Sequence, residues 1–344
     1  MEQGKKKRRI LWILGLLLLL LLTVVAGLWL GGRQGMKKNL AAELPAEEAG
    51  ADLPAQEEYI TYEGKRYRYN DNLITALFMG IDQSIPEEGS TEWGQSGRAD
   101  CIFLVAFDQQ SGRVNLIAIS RDTMTPIEAY DADGTYLGTV NDHLSLGYLY
   151  GDGGKASCEM MVRNVSRLFY GLPINLYAAV DLDAVPLLND AVGGVTVTTL
   201  DEDLNQYDPT RVWKTGEQVH LVGEMARTYV QGRDTGTDGS NNSRMARQKQ
   251  YLTGFAGALK QTVAKNPAAL LQLYQTLNQS MVTNVGASQA VYLASQALKL
   301  DFSEENIHAM PGENRYSGEY DEFYADDEAL YRLILDVFYT EVEA

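Results

Sequence analysis

The sequence predicts an α/β domain of layered strands and helices, preceded by a single transmembrane helix. Apolar runs of strand length are mixed with stretches of helical periodicity along residues 59–344. Both tight turns and longer crossover connections join these runs, which is typical of layered α/β folds. No repeat of 20–50 residues is visible, so a solenoid is excluded. A 21-residue apolar segment near the N-terminus predicts the membrane helix.

The N-terminal segment has the pattern of a membrane anchor. Five cations, Lys5–Arg9, precede Ile10–Leu30, which carry no charge. At about 1.5 Å per helical residue this segment spans about 31 Å, enough for a hydrocarbon core of roughly 30 Å. The cations predict a cytoplasmic tail over residues 1–9 and an extracellular remainder of the chain in a single-pass protein of the cell membrane. The alternative is a cleaved signal peptide, whose apolar core is usually shorter, roughly 7–15 residues.

The charge of the chain excludes one class of partner. The net charge is −17, and residues 1–33 hold six cations and one anion, so the rest carries a net charge of −22. Such an acidic exported portion argues against nucleic-acid binding, which depends on clustered positive charge. The spacing of three histidines and two cysteines fits no zinc or haem site. An oxidising compartment would permit a disulfide between Cys101 and Cys158.

Beyond the membrane segment we expect a linker and one domain. Residues 31–58 are rich in Ala, Glu and Pro and predict an extracellular stalk, and residues 59–344 form the domain. The predicted strands are a hairpin of Tyr59–Tyr62 with Arg66–Tyr69, then Leu73–Ile81, an antiparallel pair of Cys101–Phe107 with Val114–Ile119, Ile174–Val180 and Val195–Leu200. The predicted helices are residues 155–170, a short helix before Gly193-Gly194, and residues 243–265, 287–299 and 325–340. Residues 131–134 predict a turn, and residues 147–156, which lack the phosphate-loop pattern, predict a solvent loop.

Charged residues stand where the core strands end or begin. Asp82 follows the first core strand. Arg98 and Asp100 precede the second, and Arg121 and Asp122 follow the third. Because an antiparallel pair brings the end of one strand beside the start of the other, we expect Asp100, Arg121 and Asp122 at one sheet edge. Asp82 joins them if its strand lies beside this pair. Carboxylates gathered there need a cation or an arginine between them, and their oxygens suit Mg²⁺; the alternative is a set of solvated loop charges.

A second basic cluster surrounds the start of the long helix predicted over residues 243–265. Its members are Arg233, Arg244, Arg247 and Gln248. Asn242 or Ser243 is the expected helix cap. Guanidinium groups beside a helix N-terminus suit a pyrophosphate, which accepts paired hydrogen bonds and favours the positive end of the helix dipole. The alternative is that these arginines are solvated on a helix face and paired with the plentiful acids.

The order of motifs along the chain resembles one family. The motifs are Gly80-Ile81-Asp82, Gly97-Arg98-Ala99-Asp100, Ile119–Thr123, Asn189–Val197, Gly223–Ala226, Tyr229–Arg233 and Arg244–Gln248. Together, over roughly Leu73 to Phe255, they are similar to the LytR–CpsA–Psr (LCP) family of cell-envelope proteins. The predicted anchor and outward orientation agree with this resemblance.

The resemblance implies a three-layer α-β-α fold with a central mixed sheet and a hydrophobic pocket for a polyprenyl tail. It also implies a phosphotransferase that moves a glycopolymer from a polyprenyl-pyrophosphate carrier to peptidoglycan at the membrane, with Mg²⁺ or Mn²⁺.

By position, the resemblance implies a role for each candidate residue. Asp82 and Asp100 match the metal-associated carboxylates, and Arg98, Arg121 and Asp122 match residues at the reacting pyrophosphate. Asp122 either orients an arginine or acts as the base. The residues implied to bind pyrophosphate are Arg121, Arg233, Arg244, Arg247 and Gln248.

Two positions depart from the family pattern. Gln231 stands where the family usually has the first arginine of an Arg-x-Arg motif, and Asn241 stands where an acidic residue is expected. These departures keep two alternatives open. One is a non-catalytic envelope receptor for polyprenyl-linked lipid, and the other is a polyprenyl-pyrophosphate hydrolase with water as the acceptor.

Overall fold

The computed structural model describes residues 59–83, 85, 93–181, 183–232, 240–266, 269–277, 280–286, 289, 306–317 and 321–342. The predicted tail, membrane segment and stalk lie outside these residues, as does nearly all of the helix predicted over 287–299. Among the described residues, no helix combines the length and the apolar character needed to cross a bilayer.

The described residues form both strands and helices. The strands are β1 (Ile60–Tyr62), β2 (Lys65–Tyr69), β3 (Leu73–Ile81), β4 (Ala99–Asp108), β5 (Val114–Ile119), β6 (Met124–Tyr130), β7 (Tyr136–His143), β8 (Leu176–Asp181), β9 (Val195–Thr198), β10 (Gln218–Leu221), β11 (Met281–Thr283), β12 (Ile307–Ala309), β13 (Gly312–Tyr316), β14 (Asp321–Ala325) and β15 (Tyr339–Val342). The helices are α1 (Leu146–Leu149), α2 (Lys155–Leu168), α3 (Ala184–Ala191), α4 (Leu204–Tyr207), α5 (Glu224–Gln231), α6 (Ser240–Lys265), α7 (Ala269–Leu277) and α8 (Asp327–Phe338).

The centre of the fold is a six-stranded sheet in the order β11-β8-β3-β4-β5-β12. β3 pairs antiparallel with β4. β4 pairs antiparallel with β5, as the two apolar runs predicted. β3 pairs parallel with β8, and β5 pairs parallel with β12, while β11 is antiparallel to β8. The sheet is therefore mixed, as expected.

Helices cover both faces of this sheet. Successive side chains of a strand point to opposite faces, and Leu77 and Phe78 of β3 accordingly enter two different apolar clusters. One cluster includes side chains of α3, α5, α6 and α7, and the other includes side chains of α2 and α8. This gives the three-layer α-β-α arrangement, and it explains why β3 is buried along nearly its whole length.

The same two-sided core separates the two cysteines. Cys101 packs against the first cluster, whereas Cys158 lies in the second cluster, on the opposite face of the sheet. Neither cysteine is in a disulfide. The pairing that an oxidising compartment would permit is therefore absent, because the sheet lies between the two side chains.

The described residues also form four smaller sheets, β1-β2-β15, β6-β7, β9-β10 and β13-β14. The predicted hairpin of β1 and β2 is confirmed, and β15 adds to β2 as a third strand. The β6–β7 hairpin was not predicted, because β6 contains Pro126 and Glu128 and β7 is mostly polar and exposed. The predicted turn at residues 131–134 connects these two strands.

Two local predictions are wrong. Residues 147–156 do not form a solvent loop: Tyr148 is buried, and its hydroxyl donates to the Gly153 carbonyl at 2.7 Å. The Ser157 hydroxyl donates to the Tyr148 carbonyl at 2.7 Å, so side chains satisfy this backbone inside the core. The long helix begins at Ser240, so Asn242 and Ser243 lie within it rather than at its cap.

Candidate active site

The antiparallel pairing of β3, β4 and β5 brings the predicted charged residues to one edge of the central sheet. Ile81 at the end of β3 pairs with Ala99 at the start of β4. Ile102 of β4 pairs with Ile119 at the end of β5. The residues just beyond these positions are therefore neighbours, and the site described below is built from them.

Two hydrogen bonds join Asp82 to the backbone of Arg98. The Asp82 amide donates to the Arg98 carbonyl at 3.1 Å, and the Arg98 amide donates to Asp82 Oδ1 at 2.7 Å. This contact requires a glycine next to it, because a Cβ on Gly97 would lie 2.9 Å from Asp82 Oδ1 and 2.7 Å from the Ile81 side chain. The Gly-Arg-Ala-Asp motif thus lets the loop close on the carboxylate of Asp82.

Arg121 bridges two carboxylates at this edge. Its Nη1 donates to Asp100 Oδ1, and its Nε donates to Asp122 Oδ1 at 3.1 Å. Burial by itself lowers the pKa of this guanidinium, but the negative charges of Asp100 and Asp122 outweigh burial and raise it. Arg121 therefore stays cationic, and 30% of its side chain remains open to solvent.

The turn that carries Arg121 and Asp122 is fixed by its own hydrogen bonds. The Thr123 hydroxyl, which is buried, donates to the Ser120 carbonyl at 2.6 Å, and the Asp122 amide donates to the Ser120 hydroxyl at 3.3 Å. The Ser145 amide donates to the Arg121 carbonyl at 3.0 Å. The guanidinium is thus held on a rigid turn.

The Arg98 side chain is exposed at the same edge and forms no ion pair with a described residue. It lies near Tyr150, whose pKa is raised by burial and by the charge of Asp142, while the positive charge of Arg98 acts against this rise. Arg98 is therefore available to an anionic ligand.

The carboxylates fit a divalent metal only in part. Among the described residues no group of three or more acidic, histidine or cysteine side chains is arranged to hold an ion. Asp82 and Asp100 each have one oxygen engaged within the protein. Mg²⁺ commonly binds through one or two carboxylates completed by water and substrate phosphates. The donor set therefore fits an ion that arrives with a phosphorylated substrate.

Arg247 has a different position from the one expected. Its side chain is fully buried; Nη1 donates to Asp201 Oδ1 and Nη2 to the Gly232 carbonyl, both at 2.5 Å. Its Nε donates to the Tyr229 carbonyl at 3.2 Å. Direct contact with a pyrophosphate does not agree with this arrangement, because the guanidinium is enclosed and already has protein acceptors. Arg247 instead connects α6 to the end of α5.

The side chains of the remaining members of the second basic cluster lie outside the part of the chain that the structure describes. Arg233 lies outside the described residues, as do the side chains of Arg244 and Gln248. Their role in binding pyrophosphate stays a prediction.

The structure adds Asp181, which the sequence analysis missed. Asp181 ends β8 in parallel register with Ile81, and only 3% of it is exposed. Burial raises its pKa, although its carboxylate accepts from the Ile85 and Ala184 amides at 3.3 and 3.1 Å. It therefore connects the segment after Asp82 to the start of α3. The available signal was its place directly after the apolar run 174–180, the same signal that identified Asp82.

Comparison with known proteins agrees with this geometry. The model of the LytR_cpsA_psr family matches residues 39–334, which is most of the chain. The chain belongs to the LytR–CpsA–Psr family. The LCP motifs named above thus lie in an LCP domain.

Individual relatives are distant. The chain is 27% identical over 329 residues to the polyisoprenyl-teichoic acid–peptidoglycan teichoic acid transferase TagV of Bacillus subtilis (strain 168), covering 94% of this chain and 76% of TagV. A crystal structure of B. subtilis TagV matches 78% of this chain and 97% of its own, with 24% identity and a TM-score of 0.54. A structure of TagT bound to LI-WTA matches 78% of this chain and 90% of its own, with 18% identity and a TM-score of 0.54. At these identities the structures establish the shared LCP fold.

Proposed function

We propose that this LCP protein is a phosphotransferase that moves a glycopolymer from a polyprenyl-pyrophosphate carrier to peptidoglycan. The arrangement of Arg121, bridged between Asp100 and Asp122 beside Asp82 and Arg98, is the observation that carries the proposal. Fixed cations beside carboxylates can neutralise a pyrophosphate and position it for in-line transfer. The transferase names of the relatives, and the TagT complex, support the same class of substrate.

In the proposed reaction a sugar hydroxyl of the acceptor attacks the phosphorus nearer the glycan. The bond from that phosphorus to the bridging oxygen breaks, and polyprenyl phosphate leaves with the bonding electrons. Arg121 and Arg98 hold the phosphate oxygens through charge-assisted hydrogen bonds. Asp122, whose Oδ1 accepts from Arg121, orients that arginine and is the candidate to take the hydroxyl proton.

Asp82 and Asp100 are the residues that would hold Mg²⁺ or Mn²⁺. A bound ion supplies positive charge at the phosphate oxygens and thereby stabilises the charge that develops during transfer. Arg98 and Arg121 are the side chains that contribute positive charge at the site without a metal ion.

The proposal also includes the cellular location of the domain, which depends on residues 1–58. We propose that Ile10–Leu30 anchor the protein in the membrane with the domain outside. Both proposed substrates, a lipid-linked polymer and peptidoglycan, are within reach of a domain held there by a stalk.

The proposal is tested by a transfer assay with a polyprenyl-pyrophosphoryl glycan and peptidoglycan fragments. We expect Arg121→Ala to lower the transfer rate by at least about 100-fold, as for loss of a preorganised charge-stabilising group. Arg113→Ala is the matched control, because Arg113 is exposed in the β4–β5 turn at the opposite end of the same strands.

The same assay separates the alternatives. Equal transfer by wild type and Arg121→Ala would contradict the proposed role of Arg121. Release of polyprenyl phosphate without an added acceptor would indicate a hydrolase. Lipid binding with no product under any divalent metal would indicate a receptor.

A further inference from the structure

A third arginine, Arg227 of α5, contacts the segment that follows β8. Arg227 Nη1 is 2.6 Å from Asp183 Oδ1, and Asp183 directly precedes α3. Asp183 is two residues beyond Asp181, which pairs with Ile81 at the end of β3. The contact with Asp183 therefore brings the Arg227 guanidinium to the sheet edge where Asp82 lies.

The side chain of Arg227 is held by Gln231. Its Nε donates to Gln231 Oε1 at 3.1 Å. Residues four apart lie on the same face of a helix, so Arg227 and Gln231 present their polar groups together. Gln231 is the position at which LCP proteins usually have the first arginine of an Arg-x-Arg motif. In this chain the cation of Arg227 therefore lies one helical turn before position 231. Gln231, which replaces the usual arginine, orients it.

The ion pairs of Arg227 leave it accessible to a ligand. Asp183 and Glu224, its two acidic neighbours, have side chains 51% and 75% exposed, and the Glu224 contact is long, at 3.9 Å. Exposed pairs of this kind contribute little to stability. The Arg227 side chain itself is 31% exposed, and its Nη2 donates to none of the described residues. Arg247 differs in this respect, since its side chain is fully buried and all of its nitrogens donate to acceptors within the protein.

We infer that Arg227, oriented by Gln231, contacts the pyrophosphate of the lipid carrier and replaces the arginine absent at position 231. This inference rests on the proposed function. It assigns a substrate-binding residue to a position outside the motifs that identified the family, and it explains how the chain keeps its positive charge despite the departure at Gln231.

The test measures binding of farnesyl pyrophosphate and farnesyl monophosphate to the detergent-solubilised full chain by calorimetry. We expect Arg227→Ala to weaken pyrophosphate binding by about 10- to 100-fold, the effect of losing a charge-assisted hydrogen bond. The loss for the monophosphate should be smaller, because one phosphate makes fewer contacts. The exchange variant Arg227→Gln/Gln231→Arg should bind within about 3-fold of wild type, because it moves the cation by one helical turn.

Arg332→Ala is the matched control, since Arg332 is also a helical arginine paired with an exposed acid four residues earlier, Glu328, and with Glu63. We expect the Arg332→Ala variant to bind farnesyl pyrophosphate and farnesyl monophosphate with the affinities of wild type. Circular dichroism checks that each variant is folded, and Arg227→Lys, which keeps the charge but not the contact with Gln231, should give an intermediate affinity.

The outcomes distinguish this inference from the proposed function. Wild-type affinity in Arg227→Ala, with wild type preferring the pyrophosphate, would overturn the inference alone. An exchange variant as weak as Arg227→Ala would also overturn it, because charge at position 231 would then not substitute for Arg227. A wild type that binds neither ligand would remove the proposed function and this inference with it.

Discussion

At the scale of single residues, the same side chain performs different tasks in different surroundings. Arg121 is partly exposed between two carboxylates, whereas Arg247 is enclosed by Asp201 and two backbone carbonyls. Both were expected to bind pyrophosphate, because sequence shows the type of a residue but not its solvent exposure. Because Arg247 is buried, it stabilises the fold, whereas the partly exposed Arg121 can contact a substrate.

The buried position of Arg247 predicts a large effect on stability. We expect Arg247→Met to lower the free energy of unfolding by about 3 kcal/mol, because it leaves Asp201 without its partner and two carbonyls without their donor. Urea denaturation measures this change. The double variant Arg247→Met/Asp201→Asn should recover part of the loss, and a single variant as stable as wild type would contradict the structural role.

Gly97 gives a second prediction at this scale. In Gly97→Ala the added Cβ would crowd Asp82 Oδ1 and the Ile81 side chain. We expect the loop to shift and transfer activity to fall by about 10-fold or more, since small misplacements of catalytic groups are costly. Gly257→Ala is the control, because nothing lies within 4 Å of a Cβ at that helical position. If both variants retain full activity, the close contact at Gly97 is not required.

At the scale of elements, an ionic network around the buried Glu128 attaches the β6–β7 hairpin to α2. Glu128 of β6 is 7% exposed. It accepts from Arg163 Nη2 at 2.7 Å, from Arg167 Nη2 at 3.3 Å and from the Tyr130 hydroxyl at 3.1 Å. The hairpin begins one residue after the turn that carries Arg121 and Asp122, so this network also supports the site.

The network predicts a pH dependence of stability. Burial alone would raise the pKa of Glu128, but the hydrogen bonds and charge of Arg163, aided by Tyr130 and Arg167, outweigh it and hold the pKa below the ordinary value of 4.5. A carboxyl whose pKa is lower in the folded state stabilises the fold above its unfolded pKa, and this contribution disappears as pH falls through the folded pKa.

We therefore expect Glu128→Gln to be less stable than wild type at pH 7, by about 1.5 kcal/mol, the effect of weakening hydrogen bonds to a charged group. The difference should shrink as pH falls below 4.5, because protonation then removes the ion pair from wild type as well. Thermal or urea unfolding from pH 7 to pH 3 measures both curves. A difference that does not change with pH would show that the charge of Glu128 is not involved.

At the scale of the whole molecule, the two ends of the described chain meet. β15 pairs with β2, Lys65 Nζ lies 2.8 Å from Glu341 Oε2, and the rings of Tyr69 and Tyr339 pack edge to face. The hairpin at the start of the domain thus completes a three-stranded sheet with the last strand. Strands from the beginning and the end of residues 59–342 therefore share one sheet, and a domain boundary near residue 59 stays a prediction.

This closure predicts that membrane attachment and folding are separable. We expect the full chain to sediment with membranes and resist carbonate extraction, and a protein of residues 59–344 to stay in the supernatant. Both should show the same melting temperature of the domain by circular dichroism. A soluble full chain would contradict the anchor, and an unfolded 59–344 protein would contradict the closure at β2 and β15.

The sequence by itself determined the elements whose signals are local. The apolar run Leu73–Ile81 became β3 with the same bounds, and Val114–Ile119 became β5. The predicted hairpin pairing of β4 with β5 was also sufficient to bring Asp100, Arg121 and Asp122 to one edge of the sheet, whereas Asp82 joins them because β3 pairs with β4. These features follow from the hydrophobic pattern of each strand and from the short connections between strands, and both can be read from residues close together in the sequence.

Only the tertiary structure decided which chemistry-bearing side chains are exposed and which distant residues join them. It enclosed Arg247, placed Asp181 beside the end of β3, and brought Arg227 to the same edge through Asp183. It also added β12 to β5 and β15 to β2, strands that are short and far apart in sequence from their partners. The physical reason is that burial and pairing between distant segments depend on how whole layers pack, which no local pattern of residues contains.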